Sequence, residues 1–221
     1  MKLSTKNSLV GRITDYLGVN KKFHKYEKID IDSKDSAIIS PVEAKVMHIG
    51  KIEKNGMLIS KHNKKVLLKD IIGDYSSKFL GSNYINFYLS PSNKHFWVTP
   101  YTGEFTHTQK NEGKSWPPVF IGLENIFGIE MFSKAVKKNA SIGSIFQTKD
   151  FPLAMVAIGS LNVNRIHTDY EQMKTYKKGS PCGYFSMGSS MLLCFPNNME
   201  FLIDEGSYVK IGQRILIKPS S

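Results

Sequence analysis

The sequence contains few cysteines and no recognisable metal-binding motif. Only Cys182 and Cys194 occur among the 221 residues. They form no Cys-x-x-Cys pair and no cluster with histidine at the spacing of a zinc site, so we expect no metal centre. Buried free thiols are the favoured interpretation, and a disulfide between adjacent strands is the alternative that the sequence leaves open.

The sequence also lacks an apolar run long enough to cross a membrane. Its longest apolar stretch, residues 151–161, is far shorter than the roughly 20 residues that a spanning helix needs. The N-terminal residues carry charge without an apolar run behind them, which is not typical of a secretory signal. We therefore expect a cytoplasmic protein that is soluble or bound peripherally to a membrane.

Negative charge is scarce relative to positive charge. Lysine and arginine number 30 against 19 aspartate and glutamate residues, which gives a formal net charge of +11. Such an excess favours an anionic partner, either membrane phospholipid or nucleic acid, although a solvated basic surface also accounts for it. No nucleic-acid-binding motif accompanies the charge, so we expect no nucleic-acid partner.

The N-terminal segment, residues 1–30, is basic, with seven lysine and arginine residues against three acidic residues. Its apolar residues recur at helical spacing: Leu9, Val10, Ile13, Tyr16 and Leu17. This pattern predicts a helix, which either lies on an anionic bilayer or packs on the domain with its charges in water.

From residue 36 onward the pattern is typical of strands. Asn55-Gly56 lies between two short apolar segments and predicts a hairpin. Residues 151–159 form a nearly continuous apolar run, as in a strand covered on both faces. We find no internal domain boundary, and one core can serve a chain of this length. The pattern predicts a single α+β domain, residues 1–221, that is predominantly β.

A glycine-serine step, Gly188-Ser189, lies between apolar strand-like segments. Because glycine has no side chain, its carbonyl group can be approached closely, and a neighbouring serine hydroxyl could convert the amide to an ester. Elimination would then break the chain and leave dehydroalanine, which hydrolyses to a pyruvoyl group. The alternative interpretation is a glycine at a bulge or tight bend in a strand.

The residues around this step resemble the processing region of phosphatidylserine decarboxylases. The pattern that carries the resemblance is Lys178-Gly179, Gly183, Phe185, Gly188-Ser189-Ser190 and Phe195. The resemblance implies cleavage between Gly188 and Ser189 and a pyruvoyl cofactor made from Ser189. A pyruvoyl ketone forms a Schiff base with a substrate amine and serves as an electron sink.

Two further motifs carry the same resemblance. Tyr88-Leu89-Ser90-Pro91 followed by His95 is similar to the family's Leu-Ser-Pro segment, and the resemblance assigns His95 to proton transfer in decarboxylation. Pro41-Val42-Glu43-Ala44 resembles the family's Pro-Ala-Asp-Gly segment, so Glu43 stands where an aspartate orients a serine-activating histidine. Val98 stands where longer members have that histidine, which is a departure from the pattern.

The resemblance covers residues 40–215 and implies the fold and function of the family. We expect a phosphatidylserine decarboxylase-like fold with barrel-sandwich-like elements, the latter indicated by residues 204–215. The implied enzyme is a carboxy-lyase that cleaves itself and converts phosphatidylserine to phosphatidylethanolamine. Its expected partners are phosphatidylserine or an anionic membrane surface, its own cleaved subunit, and further copies in a homo-oligomer.

Two other functions are compatible with the same residues. One is an uncleaved relative that binds anionic phospholipid without catalysis, an interpretation that Val98 and Glu43 favour. The other is a pyruvoyl-dependent decarboxylase of a soluble amino acid, because the sequence reveals no lipid-binding cradle.

Overall fold

The computed structural model describes residues 2–5, 12–13, 16–17, 26–60, 63–114, 119–160, 165–185 and 189–219. The strands are β1 (Lys2–Ser4), β2 (Ala37–Ile39), β3 (Ala44–Lys51), β4 (Met57–Ile59), β5 (Lys65–Leu67), β6 (Asn83–Leu89), β7 (Phe96–Val98), β8 (Gly103–Asn111), β9 (Ser141–Gln147), β10 (Pro152–Gly159), β11 (Ile166–Asp169), β12 (Thr175–Tyr176), β13 (Pro181–Phe185), β14 (Ser189–Phe195), β15 (Glu200–Phe201), β16 (Tyr208–Val209) and β17 (Arg214–Ile217). The helices whose bounds are described are α1 (Lys69–Ile72), a 3-10 helix (Gly73–Phe79), α2 (Gly122–Phe127) and α3 (Phe132–Lys138). The predicted α+β fold that is predominantly β is confirmed.

Two antiparallel sheets form the framework. The larger has eight strands in the order β12-β8-β9-β10-β14-β6-β3-β16, and the second has four in the order β1-β11-β13-β7. The described part of the chain also contains a sheet of three strands, β15-β17-β2, and a sheet of two, β4-β5. The strands within residues 204–215 are divided between sheets, because β16 pairs with β3 while β17 pairs with β2.

Strand β10 is covered on both faces, as its continuous apolar sequence predicts. Leu153, Met155 and Ala157 pack in one apolar cluster, and the residues that alternate with them pack in another. Because successive side chains of a strand point to opposite faces, only a strand with cover on both sides carries such a run. Helices α1 and α3 contribute apolar side chains to the second cluster.

The predicted hairpin at Asn55-Gly56 is confirmed. Ile52 bridges to Leu58 across the turn, and Gly56 has a φ of +82°, a conformation that favours glycine. The side chain of Asn55 accepts a hydrogen bond from the Met57 N–H at 3.0 Å, which closes the turn.

The N-terminal segment contains both a strand and helical residues. Lys2–Ser4, which precede the predicted helical positions, form β1 beside β11, and Leu3 packs against the larger core cluster there. Residues 12, 13 and 16 are helical, and the Leu17 N–H donates to the Ile13 carbonyl at 2.9 Å. The remaining apolar positions of the predicted helix, Leu9 and Val10, lie outside the described residues.

Both cysteines are free and buried, so the prediction of free thiols is confirmed. Cys182 lies in β13 and Cys194 in β14. Burial raises the pKa of the Cys182 thiol to about 12 and also raises that of Cys194, so both stay protonated near neutral pH. Within the described ranges, no helix is long and apolar enough to cross a bilayer.

Candidate active site

Three segments connect the two large sheets at one junction. Strand β6 continues to β7 through residues 90–95, β10 continues to β11 through residues 160–165, and β13 continues to β14 through residues 186–188. In the eight-stranded sheet β14 lies between β6 and β10, and in the four-stranded sheet β13 lies between β7 and β11. The described ends of these segments therefore lie side by side.

Ser189 is the first residue of β14 at this junction. The strand register pairs it with Leu89, the last residue of β6, and with Gly159, the last residue of β10. Its side chain is fully buried, and among the described residues none provides a hydrogen-bond partner for its Oγ. A buried polar group without a partner costs about 1–3 kcal/mol, so it calls for a structural or chemical explanation. Gly188 lies outside the described residues.

The hydroxyl of the adjacent serine, Ser190, has hydrogen-bond partners. It is equally buried, but its Oγ lies 2.7 Å from Asn86 Oδ1 and 2.6 Å from the Phe87 carbonyl oxygen. Its hydroxyl is therefore used in packing β14 against β6. The two neighbouring serines differ in a way that the sequence does not reveal: the Ser190 hydroxyl is hydrogen-bonded, and the Ser189 hydroxyl has no partner among the described residues.

His95 lies at the same junction as Ser189. It is the last residue before β7 and is fully buried. Its carbonyl accepts a hydrogen bond from the Phe185 N–H at 2.8 Å, which places it beside the end of β13. Three residues, 186–188, lie between Phe185 and Ser189 along the chain. The fold thus brings His95 and Ser189, which are 94 positions apart in the sequence, to the same junction between the two sheets.

The segment that carries His95 is organised by Asn93, a residue that sequence reasoning missed. Asn93 is 5% exposed, and its Oδ1 accepts hydrogen bonds from the Ser90 N–H and hydroxyl, both at 2.8 Å, and from the Tyr208 hydroxyl at 3.2 Å. Asparagine commonly bonds the backbone of turns in this way. Its place in the turn after Leu89-Ser90-Pro91 is the signal that could have found it.

Glu43 is bonded to the same segment. It directly precedes β3, and its Oε1 accepts hydrogen bonds from Asn93 Nδ2 and from the Lys94 N–H, both at 3.3 Å. The carboxylate thus contacts the two residues that precede His95. The fold therefore brings the third predicted site residue to the junction, where its contacts are with the segment that holds the histidine.

Val98 packs in an apolar environment. It is fully buried in a small cluster with Ile39, Phe96 and Ile211. Its N–H donates to the Pro41 carbonyl at 3.0 Å. Valine has no group that transfers a proton, so this position contributes packing alone.

Tyr88, next to the junction on β6, stays neutral near physiological pH. Burial raises the pKa of its phenol, and the neighbouring Tyr208 raises it further. The strand register pairs Tyr88 with Ser190 of β14 on one side and with Lys45 of β3 on the other. Its hydroxyl therefore remains protonated near neutral pH.

We expect Asn93→Ala to lower the free energy of unfolding by about 1–3 kcal/mol, because Ser90 and Tyr208 lose a buried acceptor. Urea unfolding followed by circular dichroism measures the change. Ser92→Ala is the matched control, since Ser92 is exposed and, among the described residues, its side chain bonds only the Ser90 hydroxyl. Equal stability losses in the two variants would contradict the organising role of Asn93.

A family model described as phosphatidylserine decarboxylase matches residues 20–217. The chain belongs to the phosphatidylserine decarboxylase family. It is thus a carboxy-lyase by family, as the sequence motifs predict. The "Phosphatidylserine decarboxylase proenzyme" of Anoxybacillus flavithermus (strain DSM 21510 / WK1) is 31% identical over 216 residues, covering 89% of this chain and 78% of the relative.

Two further relatives of the family carry the same name. The proteins of Bacillus thuringiensis (strain Al Hakam) and Bacillus cereus (strain ATCC 10987 / NRS 248) are 29% and 30% identical over 193 residues. Each alignment covers 85% of this chain and 71% of the relative. All three relatives are thus named phosphatidylserine decarboxylase proenzymes.

Proposed function

We propose that the chain is a proenzyme that cleaves itself between Gly188 and Ser189 and then converts phosphatidylserine to phosphatidylethanolamine. The observation that carries this proposal is the Ser189 hydroxyl, which is fully buried and has no hydrogen-bond partner among the described residues. Its position, next to the bonded Ser190 and at the junction that contains His95, supports a chemical rather than a packing role. The names of the relatives support the same conclusion.

In the cleavage step, Ser189 Oγ attacks the carbonyl carbon of Gly188, and the peptide C–N bond breaks as an ester forms. Loss of the Ser189 α-proton then expels the Gly188 carboxylate with the C–O electron pair and leaves dehydroalanine. Addition of water and loss of ammonia give the pyruvoyl group.

A pyruvoyl group fits the position of Ser189. In the conversion, the serine Oγ departs with the Gly188 carboxylate, and the serine Cβ becomes a methyl group. The buried hydroxyl that lacks a described partner is thereby replaced by an apolar group, which suits a site between Leu89 and Gly159. Maturation would thus relieve a cost that the uncleaved chain carries.

The chemistry after cleavage is shared between the cofactor and the chain. A pyruvoyl group supplies a ketone that captures the substrate amine and accepts electrons when carbon dioxide leaves. His95 would hold a proton on its imidazole and deliver it to the carbon that loses carbon dioxide. Glu43 would act as a positioning residue, since its carboxylate holds the backbone at Lys94 and the side chain of Asn93.

The two chains produced by cleavage would stay together in one domain. Strand β14, the first element of the small chain, is hydrogen-bonded along its length to β10 on one side and β6 on the other. Removing it would expose the unpaired edges of both neighbours. We propose that residues 1–221 remain one domain after cleavage, and that copies of it form a homo-oligomer.

Contact with an anionic membrane is part of the same proposal. The described helical residues near the N-terminus expose apolar side chains to solvent, with Ile13 at 50%, Tyr16 at 90% and Leu17 at 66%. Exposed apolar side chains beside basic residues are typical of helices that lie on anionic bilayers. A peripheral position on the cytoplasmic face of the membrane would give the enzyme access to its lipid substrate.

The test is mass spectrometry of the purified protein, combined with a decarboxylation assay on phosphatidylserine vesicles. We expect two chains, the smaller spanning the last 33 of the 221 residues and starting with a pyruvoyl group. An intact 25.0 kDa chain that retains serine at position 189 and binds vesicles would overturn the proposal. That result would favour the non-catalytic phospholipid-binding alternative, which Val98 supports. Carbon dioxide released from free serine alone would favour the soluble substrate.

A further inference from the structure

Three large apolar side chains face solvent at the end of helix α2 and in the loop that follows it. Ile126, Phe127 and Ile129 are 61%, 66% and 51% exposed. We call these three side chains the apolar tip. Exposed apolar side chains that lie next to one another mark an interaction site more often than exposed apolar side chains that are scattered singly.

The backbone of the apolar tip is held in place by a buried carboxylate. Glu124 is 3% exposed, and its Oε2 accepts hydrogen bonds from the Met131 N–H at 3.1 Å and the Phe132 N–H at 3.0 Å. Gly128, at a φ of +69°, ends the helix and donates its N–H to the Glu124 carbonyl at 3.0 Å. The exposed side chains therefore belong to a closed, internally bonded turn.

Helix α2 packs over the end of the sheet that carries Ser189. The Ile121 N–H donates to Oγ of Ser160, the residue that follows β10, at 2.9 Å. On the other side Gly122 packs against Tyr88 of β6, where an added Cβ would lie 2.8 Å from the phenol oxygen. Strands β10 and β6 flank β14, so the helix begins beside the site. A helix rises about 1.5 Å per residue, which places the helical part of the apolar tip, Ile126 and Phe127, about 6–8 Å beyond Gly122.

We infer that the apolar tip inserts into the surface of an anionic phospholipid bilayer and holds the junction of His95 and Ser189 against it. This inference rests on the proposed function, because a bilayer is the source of phosphatidylserine. The bilayer would receive Ile126, Phe127 and Ile129 among the upper parts of its acyl chains, as it receives the apolar faces of interfacial helices.

Charge next to the apolar tip favours an anionic surface. Lys45 Nζ donates to Asn125 Oδ1 at 3.1 Å, so an ammonium group lies beside the residue that precedes Ile126. A basic residue near an anionic bilayer strengthens binding, and the chain as a whole carries a net charge of +11.

The size of the apolar tip argues against a second copy of the chain as its occupant. Three partly exposed side chains offer roughly 300–400 Å², whereas a stable protein interface buries about 800 Å² on each partner. A bilayer needs no matching surface and accepts a small apolar projection.

The experiment compares Phe127→Asp with Leu80→Asp in the full, matured chain. Leu80 is 47% exposed and precedes β6 at the end opposite Leu89, so it is an exposed apolar residue far from the junction. Each variant is assayed on phosphatidylserine in vesicles and on a short-chain phosphatidylserine dissolved below its micelle concentration. Sedimentation with vesicles at high salt, where charge attraction is screened, measures apolar insertion directly.

We expect Phe127→Asp to reduce turnover of the vesicle substrate and vesicle binding at high salt by at least about tenfold, because a carboxylate opposes insertion. Turnover of the dissolved substrate should stay at the wild-type level. Leu80→Asp should change neither vesicle turnover nor vesicle binding.

Wild-type behaviour of Phe127→Asp on vesicles would overturn the inference, as would an equal loss in Leu80→Asp. A wild-type dimer that Phe127→Asp dissociates would assign the tip to a second copy instead. If the wild type turned over neither substrate, the proposed function would be wrong. Sedimentation of the two variants with vesicles would still test whether the apolar tip inserts into the bilayer.

Discussion

Ser189→Ala is expected to leave a single 25.0 kDa chain with no decarboxylase activity. The substitution removes the only atom of residue 189 that can attack the Gly188 carbonyl, so neither the ester nor the pyruvoyl group forms. The variant should fold, because the lost hydroxyl is buried and has no hydrogen-bond partner among the described residues. Replacing such a group by hydrogen removes a desolvation cost of about 1–3 kcal/mol rather than adding one. A denaturing gel and intact-mass measurement read out cleavage, and circular dichroism reads out folding.

The matched control is Ser190→Ala, one residue further along the same strand. Its hydroxyl is bonded to Asn86 and Phe87, so we expect this variant to be cleaved normally but to be less stable by about 1–3 kcal/mol. The two variants should therefore show opposite patterns of cleavage and stability. Cleavage of Ser189→Ala would show that residue 189 is not the nucleophile, and a folded Ser190→Ala that stays intact would contradict the packing role of the Ser190 hydroxyl.

Local sequence patterns predict the strands but not their arrangement. The continuous apolar run of β10 requires cover on both faces, and Asn55-Gly56 specifies a hairpin, so both features can be read from neighbouring residues. The strand β1 could not be predicted in this way. Its hydrogen-bond partners are on β11, more than 160 residues along the chain, and the segment around it has helical spacing.

In the candidate site too, local sequence predicts the motifs but not how they are arranged in space. The Gly188-Ser189 step and the Leu89-Ser90-Pro91 segment can each be recognised by motif, but only the order β10-β14-β6 shows that their strands are neighbours. The difference between Ser189 and Ser190 depends on which face of β14 meets Asn86, which is set by strand register. The turn that Asn93 forms with Ser90 could be read from local sequence, but its bonds to Glu43 and Tyr208 could not, because these partners come from distant parts of the chain.

His95→Gln is expected to yield a chain that is still cleaved but whose kcat for decarboxylation falls by about 10²–10⁴-fold. Glutamine approximates the size and hydrogen-bonding capacity of histidine, yet it cannot give or take a proton near neutral pH. The change should fall on kcat and leave KM close to the wild-type value, since His95 is assigned to proton delivery rather than to substrate binding. Steady-state kinetics on dissolved phosphatidylserine measures both constants, and the gel pattern reports processing.

The control for His95→Gln is the same substitution at His107, a half-buried residue of β8 that stacks on Tyr75 with ring centroids 4.2 Å apart. We expect His107→Gln to be cleaved and to decarboxylate at close to the wild-type rate. An undiminished kcat in His95→Gln would remove the histidine from the mechanism. A folded His95→Gln that stays uncleaved would instead assign His95 to the proton transfers of maturation. Val98 has no group that transfers a proton. His95 would then carry out the serine activation that the family resemblance assigns to a second histidine at the position of Val98.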